Sequence, residues 1–311
     1  MKIRQLIYGI ATFVPGVNRY RAKGTGGTNS ARYCYSVWLR HLVMAKENGL
    51  LTKFPKIVAE LGPGDSLGIG FAALLSGCEK YFALDVVKHA NAERNIEIFD
   101  ELVSLFSRRE PIPGEDEFPR VKPFLNHYQF HRDILNESRL QDSLEQSRIE
   151  KIRNDIIHES NRFIQYKVPW DKASVIEKQA VDMIYSQAVL EHVDDLRGTY
   201  KAMRLWLKRT GFISHEIDFK CHGTADEWNG HWAYSDFIWK LIRGRRPYLL
   251  NREPLSTHIS IMRQEGFNIV CLSKTKTESK LTKSDLSRRF RSISNDDLTT
   301  SDAFIQAVLQ Q

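Results

Sequence analysis

Three features of this 311-residue sequence predict an α/β protein built on a doubly wound, mainly parallel sheet with helices on both faces. Apolar runs of strand length recur along it ("KIVAEL", "EKYFALDV", "AVDMIYS", "TGFISHEIDF"), and segments of helical spacing separate them. A glycine-rich turn, "AELGPGDSLGIG", directly follows the first run. Runs apolar at consecutive positions suit strands covered on both sides, and strand–helix alternation calls for crossovers between parallel neighbours.

Taken in order, Tyr35, Trp38, Leu39 and Leu42 repeat at helical spacing from Ser30 onward and predict a helix ahead of the core. "KIVAEL" reads as strand one and "EKYFALDV" as strand two, with a short helix between them. The span from Asp85 to Asp182 is too long for one crossover. It holds a turn-rich patch, "RREPIPGEDEFPRVKP", and then a charged segment whose Leu140, Leu144, Ile152 and Ile156 fall near helical spacing, so a helical insertion is expected at about 100–162. "FIQYKVPWD" returns the chain to strand three and "AVDMIYS" forms the fourth. The helix "DLRGTYKAMRLWLKR" leads through Gly211 into the fifth, "TGFISHEIDF". "FNIVCLSKTKT" and "AFIQAVLQ" suit a C-terminal antiparallel pair at the sheet edge, at about 266–311. Residues 1–52 read as a basic helical arm or lid on a domain of residues 53–311.

A hydrophobic content of 42% supports one large core or two modest ones, with a single α/β domain as the default. The N-terminal run "LIYGIATFVPGV" is broken by Gly9 and Pro15 and lacks membrane length or a cleavage site, so a soluble cytoplasmic protein is expected. Cys34, Cys78, Cys221 and Cys271 stand singly, without disulfide or zinc spacing. Residues 1–55 hold nine Lys/Arg against Glu47 alone, an excess that accounts for the whole formal charge of +7. Such a segment suits a solvated face or a docking arm for an anionic substrate, nucleic acid or lipid headgroup.

A strand that ends in Gly62-Pro63-Gly64 and opens a helix offers free backbone N–H groups close to a ligand. A dinucleotide fingerprint needs a third glycine where Leu67 stands, and Pro63 removes a donor. No Gly-Lys-Ser/Thr follows, which excludes a P-loop. Asp85 closes strand two, 21 residues after Gly64, where a carboxylate can accept both ribose hydroxyls. Glu60 beside the turn would repel a pyrophosphate and attract an ammonium or sulfonium.

"VAELGPGDSLGIG", "ALDV" and "VDMIYSQAVLEHVDDL" together resemble the cofactor motifs of class I S-adenosylmethionine-dependent methyltransferases, in particular the small-molecule group carrying "LEHV". The resemblance covers about residues 56–217 and implies a Rossmann-like fold with S-adenosyl-L-methionine as cofactor. It also implies that Glu60, Gly62 and Gly64 line the methionine part, that Asp85 binds ribose, and that Ser186 and Gln187 border the sulfonium. In "YKVPWD", Trp170 would stack on adenine and Asp171 accept its amine hydrogen bond, or the pair would serve core packing and helix capping instead. The region "NGHWAYSDFIWKLIRGRRPYLLNREP" is further similar to methyltransferases of bacterial surface-glycan assembly.

Beyond the fifth strand, "SHEIDFKCHGTADEWNGHWAYSDF" gathers histidines and acids where strand ends meet a cofactor in this fold class. His192, His222 and His231 are the candidates for the base that removes a hydroxyl proton. Asp218, Trp228, Trp232 and His258 are candidates for the acceptor site. Asp218, His222 and Asp226 would share a face only on a helix, and the pair His127 and His131 lacks a third ligand, so no metal is expected. Phe237, Ile238 and Leu241 are expected to pack inward from an amphipathic helix.

The leading expectation is O-methylation of a sugar or other small polar acceptor, and the basic run Arg243, Arg245 and Arg246 suits a phosphate on it. The basic segments also suit an RNA methyltransferase, although "SQAV" replaces the Asn/Asp-Pro-Pro-aromatic motif of amino-methylating enzymes and no Pro-Cys pair is present. A non-catalytic relative acting as a binding module is the third class.

Overall fold

The computed structural model describes residues 2–14, 27–170, 172–246 and 248–310. Helix α1 (Ile3–Ala11) is followed by α2 (Ala31–Glu47), whose first turn is capped by Ser30 Oγ accepting from the Tyr33 amide at 3.3 Å. Strand β1 (Ile57–Leu61), α3 (Gly68–Leu75), β2 (Lys80–Leu84) and α4 (Ala92–Arg108) come next. Helices α5 (Glu137–Ser143) and α6 (Gln146–His158) precede β3 (Ile164–Lys167) and β4 (Val181–Gln187). Helix α7 (Leu196–Trp206), β5 (Leu207–Asp218), α8 (Asp236–Arg243) and α9 (Leu255–Gln264) lead to β6 (Phe267–Lys276), α10 (Asn295–Thr299) and β7 (Thr300–Leu309).

The strands form one seven-stranded sheet in the order β3-β2-β1-β4-β5-β7-β6. The first five run parallel, and β7 pairs antiparallel with both β5 and β6. The expected doubly wound sheet is present, with its antiparallel strand one place in from the edge. Side chains alternate along each strand and divide the core in two. Val58, Tyr81, Ala83, Met183 and Tyr185 face α2, α3, α4 and α6, whereas Ala59, Leu61, Leu84 and Ile184 face α7 and α9. Helix α2 is therefore part of the main core: Cys34, Tyr35, Trp38 and Leu42 are fully buried in it.

The long β2–β3 connection differs from a purely helical insertion. It begins with α4, whose Ile98, Phe99, Leu102, Leu105 and Phe106 are buried, and continues through residues 109–136 without helix or strand. The buried Arg40 guanidinium of α2 holds that stretch by donating to the carbonyls of Val121 (2.6 Å), Pro123 (2.9 Å) and Pro113 (3.1 Å). Arg32 pairs with Glu117 through two bonds of 2.7 and 2.6 Å. Two cations of the basic N-terminal segment thus serve the chain's own packing, while Arg19, Arg21 and Lys23 lie outside the described residues. In α8 the buried side chains are Trp239 and Ile242, which face Leu6 of α1; Phe237, expected inside, is 69% exposed. No helix among the described residues is long and apolar enough to cross a membrane.

Close contact between α3 and β2 depends on Gly70, where a Cβ would lie 2.1 Å from the Tyr81 ring. Gly70→Ala should lower stability by about 2 kcal/mol, since Tyr81 is buried and cannot move aside cheaply. An unchanged urea midpoint would contradict that packing.

Candidate functional site

The strand order reverses between β1 and β4, and the carboxyl ends of β1, β2, β4 and β5 meet around that switch point. The glycine turn sits there with Gly62 at φ 62° and Gly64 at φ 77°, left-handed values that glycine alone adopts freely. The Gly62 amide donates to the Leu84 carbonyl at 2.8 Å, and a Cβ on Gly62 would meet Val189 at 2.7 Å. The turn is clipped from the N-terminal side: Thr28 Oγ1 accepts from the amides of Asp65 (3.0 Å) and Ser66 (3.3 Å). The helix contact that a third glycine makes in the dinucleotide fingerprint is supplied by Gly68 and Gly70, against Cys34, Ile98 and Tyr81.

Glu60 lies beneath this turn, 2% exposed. Its Oε2 accepts from Tyr81 Oη at 2.5 Å and Tyr185 Oη at 3.2 Å, so one carboxyl ties β1 to both neighbouring strands. Burial pushes its pKa up to about 8 against the opposing effect of the two hydroxyls. Asp85, 6% exposed, accepts from the Val86 amide at 2.7 Å with the Gly64 amide also facing it, and burial raises its pKa. Trp170 follows β3, donates its amide to the Asp85 carbonyl at 3.1 Å, and packs edge-on against Trp206 at 5.7 Å. Asp171 lies outside the described residues.

At the end of β4, Ser186 Oγ bonds His215 Nδ1 at 2.8 Å. Gln187 Nε2 donates to the Lys122 carbonyl at 3.1 Å while its Oε1 faces His41 Nε2 at 3.2 Å. His41, which no sequence pattern singled out, is buried between Gln187 and Ser214 Oγ (2.7 Å), and burial holds its pKa down at about 4.

A second cluster lies just beyond β4 and β5. His192 Nδ1 donates to the Tyr248 carbonyl at 2.7 Å, which leaves Nε2 with a free lone pair. Its ring is 5.1 Å from that of His222, whose Nε2 is 3.3 Å from Asp218 Oδ2. Asp218 and His222 were expected to meet only on a helix; a turn with His222 at φ 45° and Gly223 at φ 76° brings them together instead. Glu191 completes the group. It is 3% exposed, and neither of its carboxylate oxygens has a hydrogen-bond partner of full geometry, although its own amide and that of Asp218 face it. Burial first, and then Glu216 and Asp218, raise its pKa well above the ordinary carboxyl value.

Four other expected site residues are held in packing around this cluster or away from it, His231 being the one near enough to feel His222 and Asp218. His258 is fully buried on α9, bonded to Tyr200 Oη at 3.1 Å, and Trp232 is 1% exposed with its indole N–H on the Arg252 carbonyl at 3.0 Å. Both were expected at the acceptor; both are enclosed in apolar packing, a role that polar-tipped aromatics fill as readily as a cleft. Trp228 packs on Trp232 and donates to the Glu278 carbonyl at 2.9 Å. His231 is 2% exposed, and burial holds its pKa down at about 3. Asp226 is 3.8 Å from Lys2. A cavity of about 680 Å³ lined by Asp194, Trp239, Arg243, Asn251 and Arg289 shares no residue with either cluster.

No protein-family model matches the chain, and no curated protein matches it in sequence. Among solved structures it is similar to an S-adenosylmethionine-dependent methyltransferase of Mesorhizobium loti, at 11% identity over 84% of this chain and 94% of that one, with a TM-score of 0.41. It is also similar to phosphoethanolamine N-methyltransferase 2 of Haemonchus contortus in complex with S-adenosyl-L-methionine, at 14% identity over 98% of this chain and 57% of that one, with a TM-score of 0.43.

The buried Glu60 carboxyl predicts a pH dependence. Its folded pKa of about 8 exceeds the ordinary 4.5, so its contribution to stability is whole below pH 4.5 and is lost as the pH rises through about 8. Relative to Glu60→Gln, the wild type should lose a few kcal/mol over that interval by urea denaturation. Parallel pH profiles for the two proteins would mean that the carboxyl is already ionised in the fold.

Proposed function

We propose that this protein is an S-adenosyl-L-methionine-dependent methyltransferase that acts on a hydroxyl of a sugar or other small polar acceptor in the cytoplasm. The observation that carries the reading is the left-handed Gly62/Gly64 turn at the switch point with the Asp85 carboxylate beside it on the adjoining strand. A nucleoside would approach the bare backbone at Gly62 and Gly64, its ribose hydroxyls meeting Asp85 and its base lying toward Trp170. Glu60, tied to Tyr81 and Tyr185, supports the floor of that cradle. Ser186 and Gln187, at the end of β4, would border the reacting end.

The bound cofactor would supply an electrophilic methyl group. The chain's part is to hold an acceptor oxygen in line and to manage its proton. Asp218, His192 and His222 form the polar rim suited to this, with Trp228 and the enclosed His231 further along the same segment. The His192 tautomer fixed by Tyr248 presents Nε2 as a proton acceptor. Internal engagement of Arg32 and Arg40 favours a small acceptor over a nucleic acid, because it withdraws two cations from any docking face.

Asp85→Ala should weaken S-adenosylhomocysteine binding at least about tenfold, the loss of one charge-assisted hydrogen-bond pair, with far-UV dichroism unchanged. Transfer of labelled methyl from S-adenosylmethionine to a panel of sugars and sugar nucleotides should give product with the wild type and little with this variant. Equal affinity in the two proteins would overturn the site assignment.

A further inference from the structure

We propose that Glu191, His192 and His222 form a binding site for a divalent transition-metal ion, of the zinc type rather than magnesium or calcium. One donor atom from each of the three lies within 4.8 Å of the others. The carboxylate of Glu191 is the independent sign of a missing partner. It is buried at 3% exposure with both oxygens unbonded, although a carboxylate withdrawn from water ordinarily finds donors or a cation. His192 has the second-sphere arrangement typical of a metal-bound imidazole: Nδ1–H on the Tyr248 carbonyl at 2.7 Å, Nε2 left as the donor. Asp218 Oδ2, 3.3 Å from His222 Nε2, orients the third ligand or joins it.

Two imidazoles and one carboxylate are a mixed nitrogen and oxygen set that suits zinc and its first-row neighbours, whereas magnesium and calcium prefer oxygen alone. Donors about 2.1 Å from a shared ion stand closer together than 4.8 Å, so the group must contract on binding. His222 can supply that movement: it is exposed, and it is followed by Gly223, around which a Cβ would meet nothing within 4 Å. Glu191 approaches from the interior and His222 from the solvent side, which leaves a coordination position open to an incoming oxygen. On the methyltransferase reading, from which this role follows, the ion would bind the acceptor hydroxyl and lower its pKa; His192 Nε2 then serves as a ligand in place of a proton acceptor, and the proton leaves to solvent.

The test uses the full-length protein stripped with a chelator and titrated calorimetrically with Zn²⁺, Mn²⁺ and Mg²⁺, and with Co²⁺ followed by visible absorption. The site predicts one strong Zn²⁺ equivalent, Co²⁺ bands of a nitrogen-ligated centre, and much weaker Mg²⁺. His222→Ala, at an exposed position, and Glu191→Gln should each weaken Zn²⁺ at least about tenfold, and His127→Ala should leave it unchanged. S-adenosylhomocysteine binding is measured on the same samples as a separate readout. Metal binding without adenosyl binding would uphold the ion site and defeat its methyl-transfer role. Adenosyl binding with no Zn²⁺ uptake, or with uptake equal in wild type and His222→Ala, would overturn the metal proposal and leave the cofactor reading standing.

Discussion

One buried carboxyl organises the centre of this molecule. Glu60 sits near the end of β1, and its Oε2 receives hydroxyls from Tyr81 on β2 and Tyr185 on β4, so three strands are tied together directly beneath the glycine turn. That arrangement imposes further requirements. Tyr81 reaches Glu60 only because Gly70 leaves room for its ring, and Gly62 turns away from β1 only because it tolerates a left-handed backbone and the nearness of Val189. A carboxyl with two hydroxyl donors in a closed layer is a rigid floor, and rigidity at this point is what a cradle made of backbone atoms needs.

The same end of the sheet concentrates acids. Glu60, Asp85, Glu191, Glu216 and Asp218 all stand at or just beyond the carboxyl ends of the parallel strands, and burial raises the pKa of each except Asp218, where His222 and Lys220 prevail and hold it at about 2. Asp218 therefore carries the firmest negative charge at this end of the sheet, where it favours a cationic group. The two clusters divide the work by position: the glycine turn and Asp85 suit a nucleoside, and the Glu191–His192–His222 group suits an ion or an acceptor.

Much of the fold was legible because strands covered on both faces spell apolar runs, and four of the five parallel strands appeared that way; β3, "IQYK", is half-exposed and was placed by the return of the chain to the sheet. Ile98, Phe99, Leu102, Leu105 and Phe106 carried the helical period of α4, yet the turn-rich residues after it drew the boundary too late. Residues 109–136 owe their shape to Arg40, a long-range contact that no local pattern encodes. At the site, Asp218 and His222 could not be paired from spacing, since a left-handed turn rather than a helix joins them. Glu191 was visible only as part of "LEHV", because a carboxylate's lack of partners is a property of its surroundings. Trp232 and His258 went the other way: a Trp or His in the core and one in a cleft look alike in sequence.

Direct binding of the cofactor bears most closely on the whole account. Parallel calorimetric titrations of the purified protein with S-adenosylmethionine, S-adenosylhomocysteine and NAD should give micromolar affinity for the two adenosyl ligands and no heat with NAD. A folded protein that ignores both adenosyl ligands, or that takes up NAD instead, would contradict the reading of the glycine turn on which the function rests.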